Sequence, residues 1–338
     1  MENGKMNQIG IGVIAAGQMG QRHANVYRQL PEVELRAVAD LNAQAAHAAA
    51  DPAGAAVHTD WHDLLARDDI QAVSICLPDW DHRGAVIAAA EAGKHILLEK
   101  PLAIDVADAD DMVAAVERTG ITLLVGHTLH FDPRYAMPLE DYRRGAIGDI
   151  IHVFARRNNP ITSAEKFEGN TTVLQFLGIH DIEYVLSMVD EPVVRVTAES
   201  HQVLATKLGI DDAVFTLVKF ASGAVASFEH AWTLPGQTYR ALDARLDAVG
   251  TEGMIRIDCA PATSMTIGQD QVETHDTWYG PTLDENYVGA IFHEVKHFVD
   301  CVRTGREPAV KLAHANEAVR VVDAAQRSAA SGKPVQFS

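Results

Sequence analysis

Residues 8–30 read QIGIGVIAAGQMGQRHANVYRQL, and the fold turns on this stretch. Ile9, Ile11, Val13 and Ile14 make a short apolar run; the chain then breaks at Ala16-Gly17, passes Gly20 and continues in a helical pattern. A buried strand, a glycine turn and a helix start form an anion site. The first N–H groups of a helix lack intrahelical partners, and its dipole favours negative charge there. The dinucleotide fingerprint is G-x-G-x-x-G. Here the positions are Ala15-Ala16-Gly17-Gln18-Met19-Gly20, so the first glycine is an alanine. Alone, this match describes an ordinary strand–helix turn equally well.

The residues that follow favour the cofactor loop. Val33 to Ala39 reads as a second strand ended by Asp40, about 20 residues past the turn, where an acidic group accepts hydrogen bonds from a ribose and repels a 2′-phosphate. Asp40 therefore favours NAD over NADP; the plainer reading is a helix cap, since Asn42 and a helix over 43–50 follow. Strand-like runs at 55–58, 72–77, 95–98 and 121–125 alternate with helical patterns at 61–66, 81–92 and 105–118. Short strands apolar on both faces, alternating with amphipathic helices, predict a parallel sheet covered on both sides. Right-handed crossovers put every strand's C-terminal end on one edge, where ligands bind. Ala16, Gly17, Gln18, Met19, Leu77, Pro78, His82 and Glu99-Lys100 fall at or beside that edge.

Composition bounds the rest. A chain of 338 residues exceeds one typical core, so about two domains are expected. The net charge of −18 argues against nucleic acid or an anionic membrane as partner, and an anionic cofactor must be held by local N–H groups against that field. Cys76, Cys259 and Cys301 are scattered and odd in number, which suggests a reducing compartment and no structural zinc. No apolar run approaches membrane-spanning length, and Met1 to Asn7 has no signal-peptide core, so the cytoplasm is expected.

After His127 the alternation stops. Helical patterns run over 131–144 and 172–188, strands over 149–157, 193–200, 213–220, 224–230, 241–250, 254–257 and 265–267, and two closing helices over 284–303 and 312–331. Tight turns at Ala221-Ser222-Gly223 and Gly250-Thr251-Glu252-Gly253 suit antiparallel strands. The fold class expected is α/β plus α+β: a Rossmann-type parallel-sheet domain over 1–127, then an α+β substrate and dimerisation domain over 128–338 with an open antiparallel sheet. Helix 312–331 is expected to pack back toward the first domain.

Ala15-x-Gly17-x-x-Gly20, Asp40, Pro78 with His82, Ala92-Gly93-Lys94-His95, Glu99-Lys100-Pro101 and Gly178-Ile179-His180-Asp181 occur in the order of one family. From about Gln8 to Val335 the chain resembles the glucose–fructose oxidoreductase, inositol dehydrogenase and rhizopine-catabolism (Gfo/Idh/MocA) family. The resemblance implies an NAD-dependent oxidoreductase acting on a sugar or polyol. Lys100 would contact the substrate hydroxyl, with the Lys100–Pro101 bond often cis in such enzymes. His180 would be the general base, and the sheet face a dimer contact giving a homodimer or homotetramer. From residue type alone Lys100 is equally a Glu–Lys surface pair, and His180 a packed helix histidine.

One departure stands out. Relatives usually carry Asp four residues before this histidine; here the position is Phe176. Gln175, five residues before His180, falls about 140° away on a regular helix and cannot titrate. It joins His127, Arg157 and Asn158, beside Lys100 and His180, as the expected substrate-binding set. Trp278 and Tyr279 are candidates to stack on a sugar ring. His293-Glu294-Val295-Lys296-His297 matches H-E-x-x-H, but no third ligand is evident and an ordinary helix is expected, so no metal is assigned. Two alternatives stand beside the dehydrogenase: a non-catalytic NAD-binding sensor of the same fold, and a glycoside-cleaving enzyme that recycles NAD.

Overall fold

The structure is a computed structural model and describes residues 8–235, 242–259, 264–268 and 272–337. The leader reading of Met1 to Asn7 and the strand start at Ala241 lie outside the described residues. Two compact units are formed. One comprises residues up to Phe131 together with Trp278–Asn316; the other comprises Asp132–Thr277 together with the residues from Glu317 onward.

The first unit is built on a six-stranded parallel sheet. Its strands are β1 (Ile9–Ile14), β2 (Val33–Ala39), β3 (Ala56–His58), β4 (Ala72–Ile75), β5 (His95–Leu98) and β6 (Leu123–Val125), in the spatial order β3-β2-β1-β4-β5-β6. Every pairing is parallel. β1 and β4 are buried almost throughout, as strands covered by helices on both faces must be. Helix α1 (Gln18–Gln29) turns His23, Ala24, Val26 and Tyr27 inward and its charged residues outward. The order reverses at β1, between β2 and β4, so the turn after β1 lies at the topological switch point where this architecture binds ligands.

The second unit is a seven-stranded sheet. β7 (Ile150–Pro160), β8 (Val193–His201), β9 (Ala213–Phe220), β10 (Val225–Leu234), β11 (Asp243–Gly250) and β12 (Met254–Asp258) join the terminal strand Val335–Gln336 in the order β12-β11-β7-β10-β9-β8 and then the terminal strand. All neighbours are antiparallel except β10 with β7, which run parallel. β9 alternates, with Val214, Thr216 and Val218 buried while Phe215 and Leu217 stay 56% and 52% exposed, so its outer face is apolar and open.

One expected helix starts later than its pattern. Residues 282–287 form a tight hairpin, Thr282–Leu283 against Asn286–Tyr287, and the helix runs over Ala290–Thr304. Asp284 and Glu285 take left-handed φ values of 50° and 66°, the two-residue turn that suits a twisted hairpin and that no helix can contain. The described helices include none long and apolar enough to cross a membrane.

Candidate active site

The turn after β1 is shaped for a close approach. Ala15, the residue replacing the first glycine, takes a left-handed φ of 69° and bears the strain that glycine would avoid. A Cβ built on Gly17 would meet nothing within 4 Å, so its missing side chain leaves space for a ligand rather than for protein. Gly20 differs: a Cβ there would lie 1.9 Å from the Ala15 carbonyl oxygen, so glycine lets helix and turn pack together. A Gly20→Ala protein is expected to lose about 1–3 kcal/mol of stability in urea unfolding, because backbone rather than a flexible side chain must yield.

Gly17 caps α1 without a side-chain hydrogen bond, and no acidic residue sits in the first turn, which leaves the helix terminus to an anion. Gly17 and Gln18 are exposed there and Met19 is half-buried. Asp40 is tied to the turn itself: its Oδ2 accepts from Ala16 N–H at 2.6 Å and its Oδ1 from Asn42 N–H at 2.7 Å. Its carboxylate thus fixes the loop while standing at the tip of β2. Open space over Gly17, an uncapped helix start and an acidic strand tip fit an NAD pyrophosphate and adenosine ribose. Tyr279 belongs to this region as well. Its hydroxyl is 3.8 Å from Met19 Sδ, and the Arg22 guanidinium lies 5.4 Å from its ring centroid, so in this unit it packs on α1.

The next two strand ends are tied by His82. This fully buried ring has its nitrogens 3.0 Å from the carbonyl oxygens of Leu77 and Pro101, and so braces the Leu77-Pro78 turn against the Glu99-Lys100-Pro101 turn. The Lys100–Pro101 peptide bond is cis. Glu99 turns toward the interior, with Oε1 3.3 Å from His23 Nε2. Burial would raise its pKa, but His23 and the Lys100 charge outweigh this and hold the carboxyl below its ordinary value. Lys100 is half-buried at the carboxyl edge of the sheet, and His127 is fully buried just after β6.

In the second unit His180 opens the helix Ile179–Val189, and a π-helical turn, Leu174–Gly178, precedes it. That turn corrects the face assigned to Gln175. A π-turn bonds residues five apart, so the regular-helix angle does not apply between Gln175 and His180. Gln175 Oε1 accepts from Thr172 N–H at 3.0 Å and from the Thr172 hydroxyl at 3.1 Å. Phe176 packs with Phe167 and Trp232, ring centroids 4.7 and 5.4 Å away, which gives this apolar side chain its place.

Asp181 anchors the histidine's helix. It is fully buried and accepts two hydrogen bonds from Arg157, at 2.9 Å from Nε and 2.8 Å from Nη2, with His230 Nε2 3.3 Å away. Desolvation pushes the Asp181 pKa up, yet the guanidinium and His230 outweigh it, so the carboxyl lies below its ordinary value. Arg157 also reaches the Tyr135 hydroxyl at 3.3 Å. Its fork is thus committed to holding Asp181, and Asn158 donates to Glu229 at 2.7 Å. His230 was not singled out from the sequence, although the period-2 pattern of β10 puts it on the inward face with Phe228. Within the H-E-x-x-H match, His297 accepts from Ala309 N–H at 2.9 Å, and Glu294 is buried in the core.

A parallel sheet with a dinucleotide turn at its switch point defines the class, an oxidoreductase with an NAD-binding Rossmann fold, and residues 9–127 match the model of that description. Residues 140–256 match the GFO/IDH/MocA C-terminal domain. The chain belongs to the Gfo/Idh/MocA oxidoreductase family. It is 31% identical over 263 residues to an inositol 2-dehydrogenase of Rubrobacter xylanophilus, covering 75% of this chain and 72% of that one. It is 28% identical over 337 residues to the scyllo-inositol 2-dehydrogenase (NAD(+)) of Bacillus subtilis, covering 98% and 97%. The crystal structure of GenD2 from gentamicin A biosynthesis, in complex with NAD, superposes with a TM-score of 0.83 at 25% identity, covering 99% of this chain and 97% of that one.

Proposed function

We propose that this NAD-binding oxidoreductase oxidises a secondary alcohol of a sugar, polyol or close derivative, with cyclic polyols the first candidates. The carrying observation is the Glu99-Lys100-Pro101 turn, built at the carboxyl edge of the same sheet whose first turn is shaped for the dinucleotide. The relatives named for inositol oxidation support the substrate class.

When bound, NAD supplies the hydride acceptor. Ala16, Gly17, Gln18 and Met19 would hold its pyrophosphate, Asp40 its adenosine ribose, and Leu77, Pro78, His82, Glu99 and Lys100 would flank its nicotinamide half. An imidazole nitrogen of His180 takes the hydroxyl proton, within the pH range where a histidine can both accept and release it. The Lys100 ammonium donates to the same oxygen and offsets the charge developing there. His127, Asn158 and Gln175 bind further hydroxyls, and Arg157 acts by holding Asp181. Phe176 cannot take the proton onward, so it passes from His180 to another group or to water.

Absorbance of NADH, with NAD or NADP and a panel of inositols, aldoses, sugar acids and glycosides, tests the assignment. NADH accumulating with a polyol, and NAD preferred, is the expected result. Binding of NAD without turnover of any alcohol would overturn it in favour of a sensor. Sugar release from a glycoside without NADH would overturn it in favour of NAD recycling. The same reading has the chain working as a homodimer or homotetramer in the cytoplasm, with the exposed Phe215 and Leu217 of β9 covered by a second copy; a monomer mass by light scattering would refute the assembly.

A further inference from the structure

The first unit carries a buried polar cluster of which the reaction above involves only Glu99. His23 comes from α1, Glu99 from the end of β5 and Glu294 from the helix Ala290–Thr304. One ligand atom of each lies within 4.8 Å of the others. His23 and Glu294 are fully buried, and the Glu99 side chain is 13% exposed. Neither oxygen of Glu294 has a hydrogen-bond partner among the described residues. His23 Nδ1 sits 3.1 Å from Ser74 Oγ, which in turn is 2.7 Å from the Tyr27 hydroxyl, so the ring is held with Nε2 toward the carboxylates.

We propose that in this buried cluster Glu294 carries a proton while Glu99 stays ionised beside His23, and that the network positions Lys100. Two carboxylates this close in a desolvated site cannot both ionise without a compensating positive charge. Glu99 has His23 and Lys100 beside it and keeps the negative charge, whereas Glu294 faces burial first and Glu99 second, and both push its pKa well up. Glu294 is therefore the acid and Glu99 the base of the pair. Glu99 immediately precedes Lys100, so the network fixes the backbone from which the lysine projects and ties it, through His23, to the cofactor helix. Glu294 is a positioning residue, and this inference rests on Lys100 acting at the substrate oxygen.

The groups facing Glu294 are Glu99, His23, Tyr27 on α1 and Cys76 after β4; Lys100 and His82 face Glu99. Burial first and Glu99 second favour the protonated form of Glu294, and its proton is lost as pH rises. The second negative charge then disturbs the turn, so kcat should fall at alkaline pH.

Glu294→Gln, a neutral side chain of the same shape, should keep kcat within a few-fold of the parent and remove that alkaline limb. Glu294→Met, of similar length with no hydrogen-bonding oxygen, should lower kcat about 100-fold with little change in KM, as expected for a misplaced catalytic group. Infrared spectra at neutral pH should show a protonated-carboxyl band in the parent that Glu294→Gln lacks, and Glu99→Gln should move its disappearance to a different pH. After reductive methylation with labelled methyl groups, the Lys100 resonance, assigned by its loss in Lys100→Arg, should be native in Glu294→Gln and displaced in Glu294→Met. Absence of the acid band overturns the proposal, as does a Glu294→Met protein with native Lys100 resonance and kcat. So does a stoichiometric divalent metal in elemental analysis that Glu294→Gln loses, since a metal would then hold the site. If the parent turns over no alcohol, the dehydrogenase reading fails, and the infrared and Lys100 signals still decide the network.

Discussion

A His180→Ala enzyme should bind NAD with parental affinity and lose about 1,000-fold in kcat for alcohol oxidation, the loss expected for removing a general base. Hydride departure from an alcohol carbon is uphill while the hydroxyl keeps its proton. With no imidazole to accept that proton, water or hydroxide must do so, and the residual rate should climb with pH where the parent rate has levelled. Lys100→Met should cost about 100-fold or more by a separate route, since the developing charge on oxygen then lacks its ammonium donor. The proposed mechanism has both residues serve one oxygen, so the double variant should be little worse than the poorer single one. Stopped-flow hydride transfer with NAD saturating checks all three. Parental kcat in either single variant would remove that residue from the mechanism.

The first unit was legible because its signals are local. Runs such as Ile9–Ile14 and Ala72–Ile75 are short and apolar on both faces, and glycines punctuate them, so the period and the turn chemistry agree on a parallel sheet. Ala15 shows how far this can be pushed: position told more than the imperfect motif, and the backbone meets the turn's demand by placing an alanine at positive φ. Asp40 was readable as an acidic strand tip, but its bond to Ala16 N–H, which makes it part of the loop, requires knowing how the turn folds back.

Much of the second unit was not legible, for reasons of the same physics. β7 and β10 pair in parallel although residues 161–224 lie between them, and nothing in either alternation encodes its neighbour's direction. The π-turn at Leu174–Gly178 sits inside a pattern that reads as continuous helix, because a single such turn is flanked by α-helix and no residue type marks it. Arg157 was read as a substrate ligand since a charged residue at a strand end is usually solvated; only the fold reveals the buried Asp181 opposite it. Glu294 was hidden in the H-E-x-x-H match, which drew attention to the histidines rather than to a carboxyl on the helix's inner face.

Arg157→Ala should destabilise the protein by about 3–5 kcal/mol, the usual consequence of leaving a buried charge without its partner. Among the described residues, Asp181 would keep His230, 3.3 Å away, as its side-chain partner in a fully buried site. Arg157→Lys should recover only part of the loss, since an ammonium cannot reproduce the two parallel bonds from Nε and Nη2. Asp181→Asn should cost a similar amount, now with the guanidinium unpaired. The pH dependence has a definite sign. The folded Asp181 carboxyl lies below its ordinary value, so the pair's contribution is complete above the unfolded carboxylate pKa and is lost as pH falls through the folded one. The parent's urea midpoint should therefore drop on acidification below about pH 4, and Arg157→Ala should remove that part of the slope. Since Asp181 holds the start of the helix that presents His180, kcat should fall in Arg157→Ala even where the protein is fully folded. A parental unfolding midpoint for Arg157→Ala would show that the ion pair contributes no net stability, and a parental kcat in the folded variant would show that it does not position His180.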